Sequence, residues 1–440
     1  MSPVIDAFGG FDMKYLLSFL TAGLIAGGVP AQAQSAYGCH DLAGLNHMAS
    51  VEGAEGTFYN VLPDLQMSHA MTPDEVDALA RLSEALAAQG TTLVYVPVPT
   101  KSLAMPDALP MAAKDHGFDV ELSTTVYDDT LRRLESRGIR AVNVRRALRE
   151  VSAPMFRTDH RWTAEGARRT AEAVGAALAD LDLGEGDGSF ASTSLGIQSI
   201  PSAARGKLQR HCRVTLPEVE TEAWATSGLR SPLVQGGVSG PKAPSIVVVG
   251  TEFTALEPAN FSGFLAEVTG REVAHHAVPE GGSFAAISSY LTSRGFRETP
   301  PQVLVWENPI QNRLGQRGPQ PMEELIAAAQ DNCRLPLALN PAPIVGVLHA
   351  DLSTLPTESR EMLMFDSGNG GTEVSFRFAD AMGVTWERHM LRHPDQVETG
   401  RFYMPLTDLP AAALTSVEIS LNSAFGEVPR LAACVTKGGA

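Results

Sequence analysis

Apolar residues recur along this chain at two different periods, and the change from one to the other divides it. Helical spacing over 74–88 is followed by a buried-strand run over 91–98 and by helical spacing again over 120–134. A short strand over 141–144, a helix over 163–181, strands over 246–249 and 303–306, and helices over 259–269 and 322–331 continue the alternation. Such a series predicts an α/β fold, a parallel sheet with helices on both faces. Gly, Ser and Pro crowd 184–244 with weak periodicity, which predicts an irregular insertion. Beyond Cys333 the period falls to two. Seven short strands, over 345–350, 361–365, 373–378, 384–390, 401–404, 416–421 and 431–436, predict an all-β sandwich. The expected organisation is an α/β domain over 34–335 and a sandwich over 336–440.

Composition narrows the function. A chain of 440 residues is long for one core, and 44% hydrophobic residues suffice for two. The formal charge of −16 argues against a nucleic-acid binder, which needs a basic face. Met13-Lys14, the apolar run from Tyr15 to Ala26 and Ala31-Gln32-Ala33 read as an export leader over 1–33, with 1–12 an upstream mis-start. That leader predicts a periplasmic protein beginning near Gln34, and no later apolar run is long enough to span a membrane. In an oxidising compartment the four cysteines, Cys39, Cys212, Cys333 and Cys434, predict disulfides, with three pairings open. They are too dispersed in sequence for a zinc site, and no metal or cofactor is expected.

The segment Phe156-Arg157-Thr158-Asp159-His160-Arg161-Trp162-Thr163 sets an acid and an imidazole at the entry of a helix that Thr163 or Thr158 caps. In α/β folds such handovers are where ligands bind. An Asp-His pair at a helix entry is more often a surface acid beside a satisfied imidazole, so its context decides the reading. That context resembles the DHHW-type signature of the AlgX/AlgJ family of periplasmic, SGNH-hydrolase-like alginate O-acetyltransferases. Glu55-Gly56-Thr57-Phe58-Tyr59, the run Thr91 to Lys101, Val247-Val248-Val249-Gly250-Thr251 with Asn260-Phe261-Ser262-Gly263, and Val305-Trp306-Glu307 with Pro309 are similar to further blocks of that family. The resemblance runs from about residue 40 to the end of the chain. It implies one disulfide per domain, Cys39 to Cys212 and Cys333 to Cys434.

The family's chemistry needs a nucleophile, a base, an orienting acid and oxyanion donors. By resemblance Asp159 is the acid, but Arg161 stands where the base belongs and Glu252 where the serine belongs, while Ile310-Gln311-Asn312 replaces Glu-Arg-Tyr. Arginine is always protonated and cannot act as a base. Two arrangements follow. A salt bridge between Arg161 and Glu252 would lock a retired site around Asp159 and Trp306; alternatively, His160 would serve as base with Thr251 or Thr254 as nucleophile. Three functions compete accordingly: a polysaccharide O-acetyltransferase, a catalytically inactive polysaccharide-binding scaffold, and an envelope esterase. The resemblance further implies a C-terminal carbohydrate-binding module that takes an alginate-like anionic polymer. It also implies partners in an export and acetylation complex, an outer-membrane porin and an acetyl-donating membrane protein. Arg360, Arg377, Trp386, Arg388, His389, Arg392, Arg401 and Tyr403 supply the sandwich with bases and aromatics suited to uronates, Trp386, Arg388, Arg392, Arg401 and Tyr403 foremost.

Overall fold

The computed structural model describes residues 35–46, 48–67, 69–228, 244–356 and 361–435. The leader expected over 1–33 and Arg360 lie outside them. A hairpin of β1 (Ser50–Glu52) and β2 (Phe58–Asn60) leads into α1 (Val61–Asp64) and α2 (Pro73–Ala87). Thr72 and Glu75 close a reciprocal capping box at the start of α2, and Pro73 occupies its first turn, where no amide donor is missed. Then come β3 (Thr92–Val98), α3 (Lys101–Ala104), α4 (Val120–Ser136), β4 (Arg140–Ala141), α5 (Val144–Leu148) and α6 (Ala164–Leu178). The strand expected over 141–144 ends at Ala141 because the Asn143 side chain accepts from the Arg146 amide and caps α5.

The stretch expected to be irregular carries an antiparallel ribbon, β5 (Ser192–Ser199) with β6 (Glu220–Thr226), around α7 (Ala203–Gln209). Most of β5 is exposed, so it leaves no apolar alternation to read in the sequence. The chain continues through β7 (Ile246–Gly250), α8 (Phe261–Thr269), β8 (Val273–Ala277), α9 (Ala285–Thr292), α10 (Arg294–Glu298), β9 (Val303–Pro309) and α11 (Gln320–Gln330).

Strands β4-β3-β9-β7-β8 form a parallel sheet in that order. Its residues alternate between two cores. Leu93, Tyr95, Val247, Val249, Leu304 and Trp306 pack with α2, α9 and α11, whereas Val94, Val96, Ile246, Val248, Val303 and Val305 pack with α6 and α8. Burial on both faces explains why these strands are continuous apolar runs.

The C-terminal strands form two antiparallel sheets. One has the order β10 (Leu335–Leu337), β18 (Arg430–Ala433), β13 (Met362–Asp366), β16 (Arg401–Pro405). The other runs β11 (Asn340–Pro341), β12 (Val347–Asp351), β17 (Leu414–Leu421), β14 (Glu373–Asp380), β15 (Thr385–Leu391). Phe365, Phe402 and Leu431 meet Val374, Phe376, Val417 and Ile419 between them. The far face of the four-stranded sheet is covered as well: Met362, Met364, Tyr403 and Ala432 share a core with α9 and α11. Both disulfides, Cys39–Cys212 and Cys333–Cys434, are formed as the resemblance implied.

Candidate active site

The carboxyl ends of β3, β9 and β7 end side by side, and the chemistry-bearing residues gather there, as open parallel sheets dictate. Between Met155 and Trp162, which pair antiparallel, the chain makes a tight loop closed by the Phe156 amide donating to the Arg161 carbonyl at 3.0 Å. Trp162 anchors it, fully buried against Phe253 and Phe261 with ring centroids 5.0 Å away from each. Thr163 caps α6 by accepting from the Gly166 amide. The loop tip presents Asp159, buried, and His160, about one third exposed.

Two ion pairs form at this tip. Arg161 turns back on Asp159, with Nε 2.9 Å from Oδ1 and Nη2 2.9 Å from Oδ2, while Ser202 Oγ donates to Oδ2 at 2.6 Å. Burial opposes the ionisation of Asp159, but the Arg161 hydrogen bonds and the His160 charge hold its carboxyl well below the usual range. His160 Nε2 lies 3.0 Å from Glu252 Oε1. Glu252 Oε2 accepts the amide of Glu280 at 3.2 Å, aimed there by a left-handed backbone at Glu280 (φ 59°). Burial disfavours the imidazolium, yet the Glu252 hydrogen bond and charge raise the His160 pKa. Burial likewise works against the Glu252 carboxylate, and the His160 bond lowers its pKa.

Behind this pair sits Glu307, fully buried at the end of β9. It accepts from the Thr251 amide at 2.7 Å, Thr251 Oγ1 at 3.0 Å, the Thr254 amide at 3.4 Å and Thr254 Oγ1 at 2.9 Å. A side chain at Gly250 would collide with Glu307 and Thr254, which is why glycine ends β7. Burial pushes the Glu307 carboxyl up to about 7. On the opposite flank Lys101 is buried, donating Nζ to the Phe58 carbonyl at 2.8 Å and the Arg157 carbonyl at 3.3 Å, and burial lowers its pKa to about 8. Asp64 accepts the Lys101 amide at 3.1 Å.

Residues 58–310, more than half of the chain, match the family described as SGNH hydrolase-like domain, acetyltransferase AlgX. The chain belongs to this family. It is 30% identical over 289 residues to the alginate biosynthesis protein AlgX of Pseudomonas aeruginosa, covering 63% of this chain and 59% of that protein. To the probable alginate O-acetylase AlgJ of the same organism it is 26% identical over 238 residues, 50% of this chain and 59% of AlgJ. The chain thus spans less than two thirds of the length of these two relatives. The solved structure of P. aeruginosa AlgX superposes with a TM-score of 0.72 at 22% identity, covering 89% of this chain and 95% of that one, a likeness of fold.

Within this AlgX-family site, neither expected arrangement of the replaced residues forms. Arg161 pairs with Asp159 and not with Glu252, and it is His160 that reaches Glu252. Thr251 and Thr254 are buried and give their hydroxyls to Glu307, so neither is presented to His160 as a nucleophile. Trp306 lies in the core on the other side of the sheet, with Nε1 on the Ser283 carbonyl at 3.2 Å, and lines no cleft with Asp159. Glu307, Lys101 and Asp64 escaped the sequence reading as site residues. Lys101 carried a signal, since it directly follows a buried strand at the sheet's carboxyl edge; Asp64 carried none.

In the sandwich, the five residues foremost for polymer contact separate. Arg392 is buried in an ion pair with Glu324 of α11, Nη1 to Oε2 at 2.7 Å, and its guanidinium stacks on Phe402 at 5.0 Å. Arg401 and Tyr403 are buried on the same covered face, with Arg401 Nη2 on Asp366 at 3.3 Å. A sugar cannot reach Arg401 or Tyr403 without parting the sheet from α11, whereas Arg392, its side chain 9% exposed and held by Glu324, borders a cavity of about 350 Å³ beside His389 and Gln396. Trp386 and Arg388 are partly exposed on β15, Trp386 packing against the sandwich core and Arg388 donating to the Glu387 carbonyl at 3.1 Å.

Proposed function

We propose that the chain takes part in the O-acetylation and export of an alginate-type anionic exopolysaccharide, in the periplasm and beside partners that supply acetyl groups and carry the polymer out. Family membership supports the polymer and the reaction class. The observation that carries the catalytic part is the 3.0 Å contact of His160 Nε2 with Glu252 at the open side of the sheet edge. Glu252 takes the orienting role of the acid in an acid–base pair, fixing Nε2 as the donor. Nδ1 stands 3.7 Å from Asp159, beyond hydrogen-bonding range, and is left for the acceptor.

Neutral His160 then removes the proton of a sugar hydroxyl as its oxygen attacks the donor's acetyl carbonyl. The bond between acetyl carbon and donor breaks, and the imidazolium returns its proton to the departing group. No serine is required, because the acetyl group passes directly from donor to acceptor. General base catalysis of this kind contributes about 10²–10⁴-fold.

The test is turnover of a chromogenic acetyl ester in the presence of mannuronate oligomers by the leaderless protein, beside His160→Ala and Glu252→Gln. Loss of oligomer acetylation in both variants is expected. Absence of acetylation by the wild type, with oligomers still bound, would overturn the catalytic part and leave a polymer-handling role.

A further inference from the structure

A cavity of about 380 Å³ opens at the same carboxyl edge of the sheet, next to Thr100. Its wall is unusually rich in planar polar groups: Gln66, Gln311, Asn312, Gln316 and Arg313. The volume falls in the range of small-ligand sites. A smaller adjoining cavity shares His69, Asn312 and Arg313 with it and reaches Asn308.

In this wall Gln311 Oε1 is a buried oxygen that accepts no hydrogen bond from any described residue. A buried acceptor without a donor costs free energy, and a ligand hydroxyl removes that cost. Arg313 adds an exposed guanidinium, whose geometry matches a carboxylate.

We infer that this cavity is a subsite for one uronate unit of the acceptor polymer, with Gln311 receiving a hydroxyl and Arg313 its carboxylate. The inference rests on the acceptor being an anionic polysaccharide, as proposed above, and it deepens that reading. Position supports it. Thr100 and Pro63 in the wall adjoin Lys101 and Asp64, and both of those charges act on His160. A unit bound here holds its neighbour in the chain toward the imidazole.

Calorimetric titration with mannuronate oligomers and with their methyl esters tests the subsite without any acetyl transfer. Arg313→Ala is expected to weaken the free acid by about tenfold, the worth of one charge-assisted contact, while leaving the ester unchanged. Gln311→Leu is expected to weaken both. Unaltered melting temperatures check that the variants are folded. Equal affinity of wild type, Arg313→Ala and Gln311→Leu for the free acid would overturn the subsite, as would no binding by the wild type. Binding that follows the expected pattern in a protein without turnover would uphold it and refute the catalytic proposal alone.

Discussion

Glu307 holds Thr251 through both its amide and its hydroxyl, at 2.7 and 3.0 Å, and so decides what the turn after β7 presents. With Thr251 and Thr254 turned inward, Glu252 is the side chain left to face His160. The Glu307 carboxylate is fully buried, and its pKa stands at about 7 against 4.5 for a free glutamate. A raised acid binds more protons in the native than in the unfolded state. Its contribution to stability is therefore largest below pH 4.5 and is lost as pH rises toward 7. The shift corresponds to about 3 kcal/mol. Urea unfolding at pH 5 and pH 8 should show the stability of the wild type relative to Glu307→Gln falling by an amount of that order. An equal difference at both pH values would refute it.

The His160 and Glu252 pair carries the opposite signs. The raised imidazole stabilises the fold below about pH 6.5 and loses that contribution as pH climbs through its native value, whereas the lowered carboxylate contributes above about pH 4.5. Their joint effect peaks between those values. Solvent screening of a one-third exposed imidazole keeps it under about 1 kcal/mol. On the proposed mechanism the ring must be neutral, so the acid limb of the wild-type acetylation profile should have its midpoint above 6.5. A proton NMR titration, which needs no turnover, should find the His160 pKa above 6.5 in the wild type and lower in Glu252→Gln.

Arg392 and Glu324 join the sandwich to α11 as a buried pair, with side chains 9% and 3% exposed. Removing one partner strands a charge, so Arg392→Ala should destabilise the protein by about 3–5 kcal/mol, whereas Arg392→Met with Glu324→Leu should be close to neutral. Thermal unfolding distinguishes the two. If Arg392 bound polymer instead, the single variant would keep its stability and lose affinity.

Why Arg392, Arg401 and Tyr403 read as surface residues is a matter of what periodicity reports. Alternation tells which residues of a strand share a face, not whether a helix from elsewhere covers it. The parallel sheet was legible through β3, β7 and β9, whose faces are both buried and whose residues are apolar runs, whereas β8, with the half-buried His275 and His276, left no such run to read. The ribbon of β5 and β6 was not, because seven of the eight β5 residues are exposed. At the site, sequence located the loop at 156–163 and the turn at 250–254 but not the pairings between them. Arg161 and His160 are neighbours on a tight loop whose tip sends them in different directions, one to Asp159 and one to Glu252. The grip of Glu307 on Thr251 spans 56 residues of sequence and leaves no local pattern.

Cys39 and Cys212 bear on the site through α7. The bridge fastens the end of that segment, beside a small core of Leu42, Phe58, Leu208 and Leu216. At the other end Ser202 both caps α7, accepting the Arg205 amide at 3.0 Å, and donates to Asp159 at 2.6 Å. Disulfide, helix and acid thus form one chain of restraint. Closing a separation of 173 residues, the bridge should contribute about 2–5 kcal/mol, so the Cys39→Ala, Cys212→Ala double variant should melt at lower temperature. Hydrogen exchange supplies the sharper test. Amides over 159–161 and 202–205 should exchange faster in that variant and remain protected in the Cys333→Ala, Cys434→Ala double variant, whose bridge lies at the ends of the neighbouring strands β10 and β18. Equal protection of these amides in both variants would show that α7 holds Asp159 without help from the disulfide.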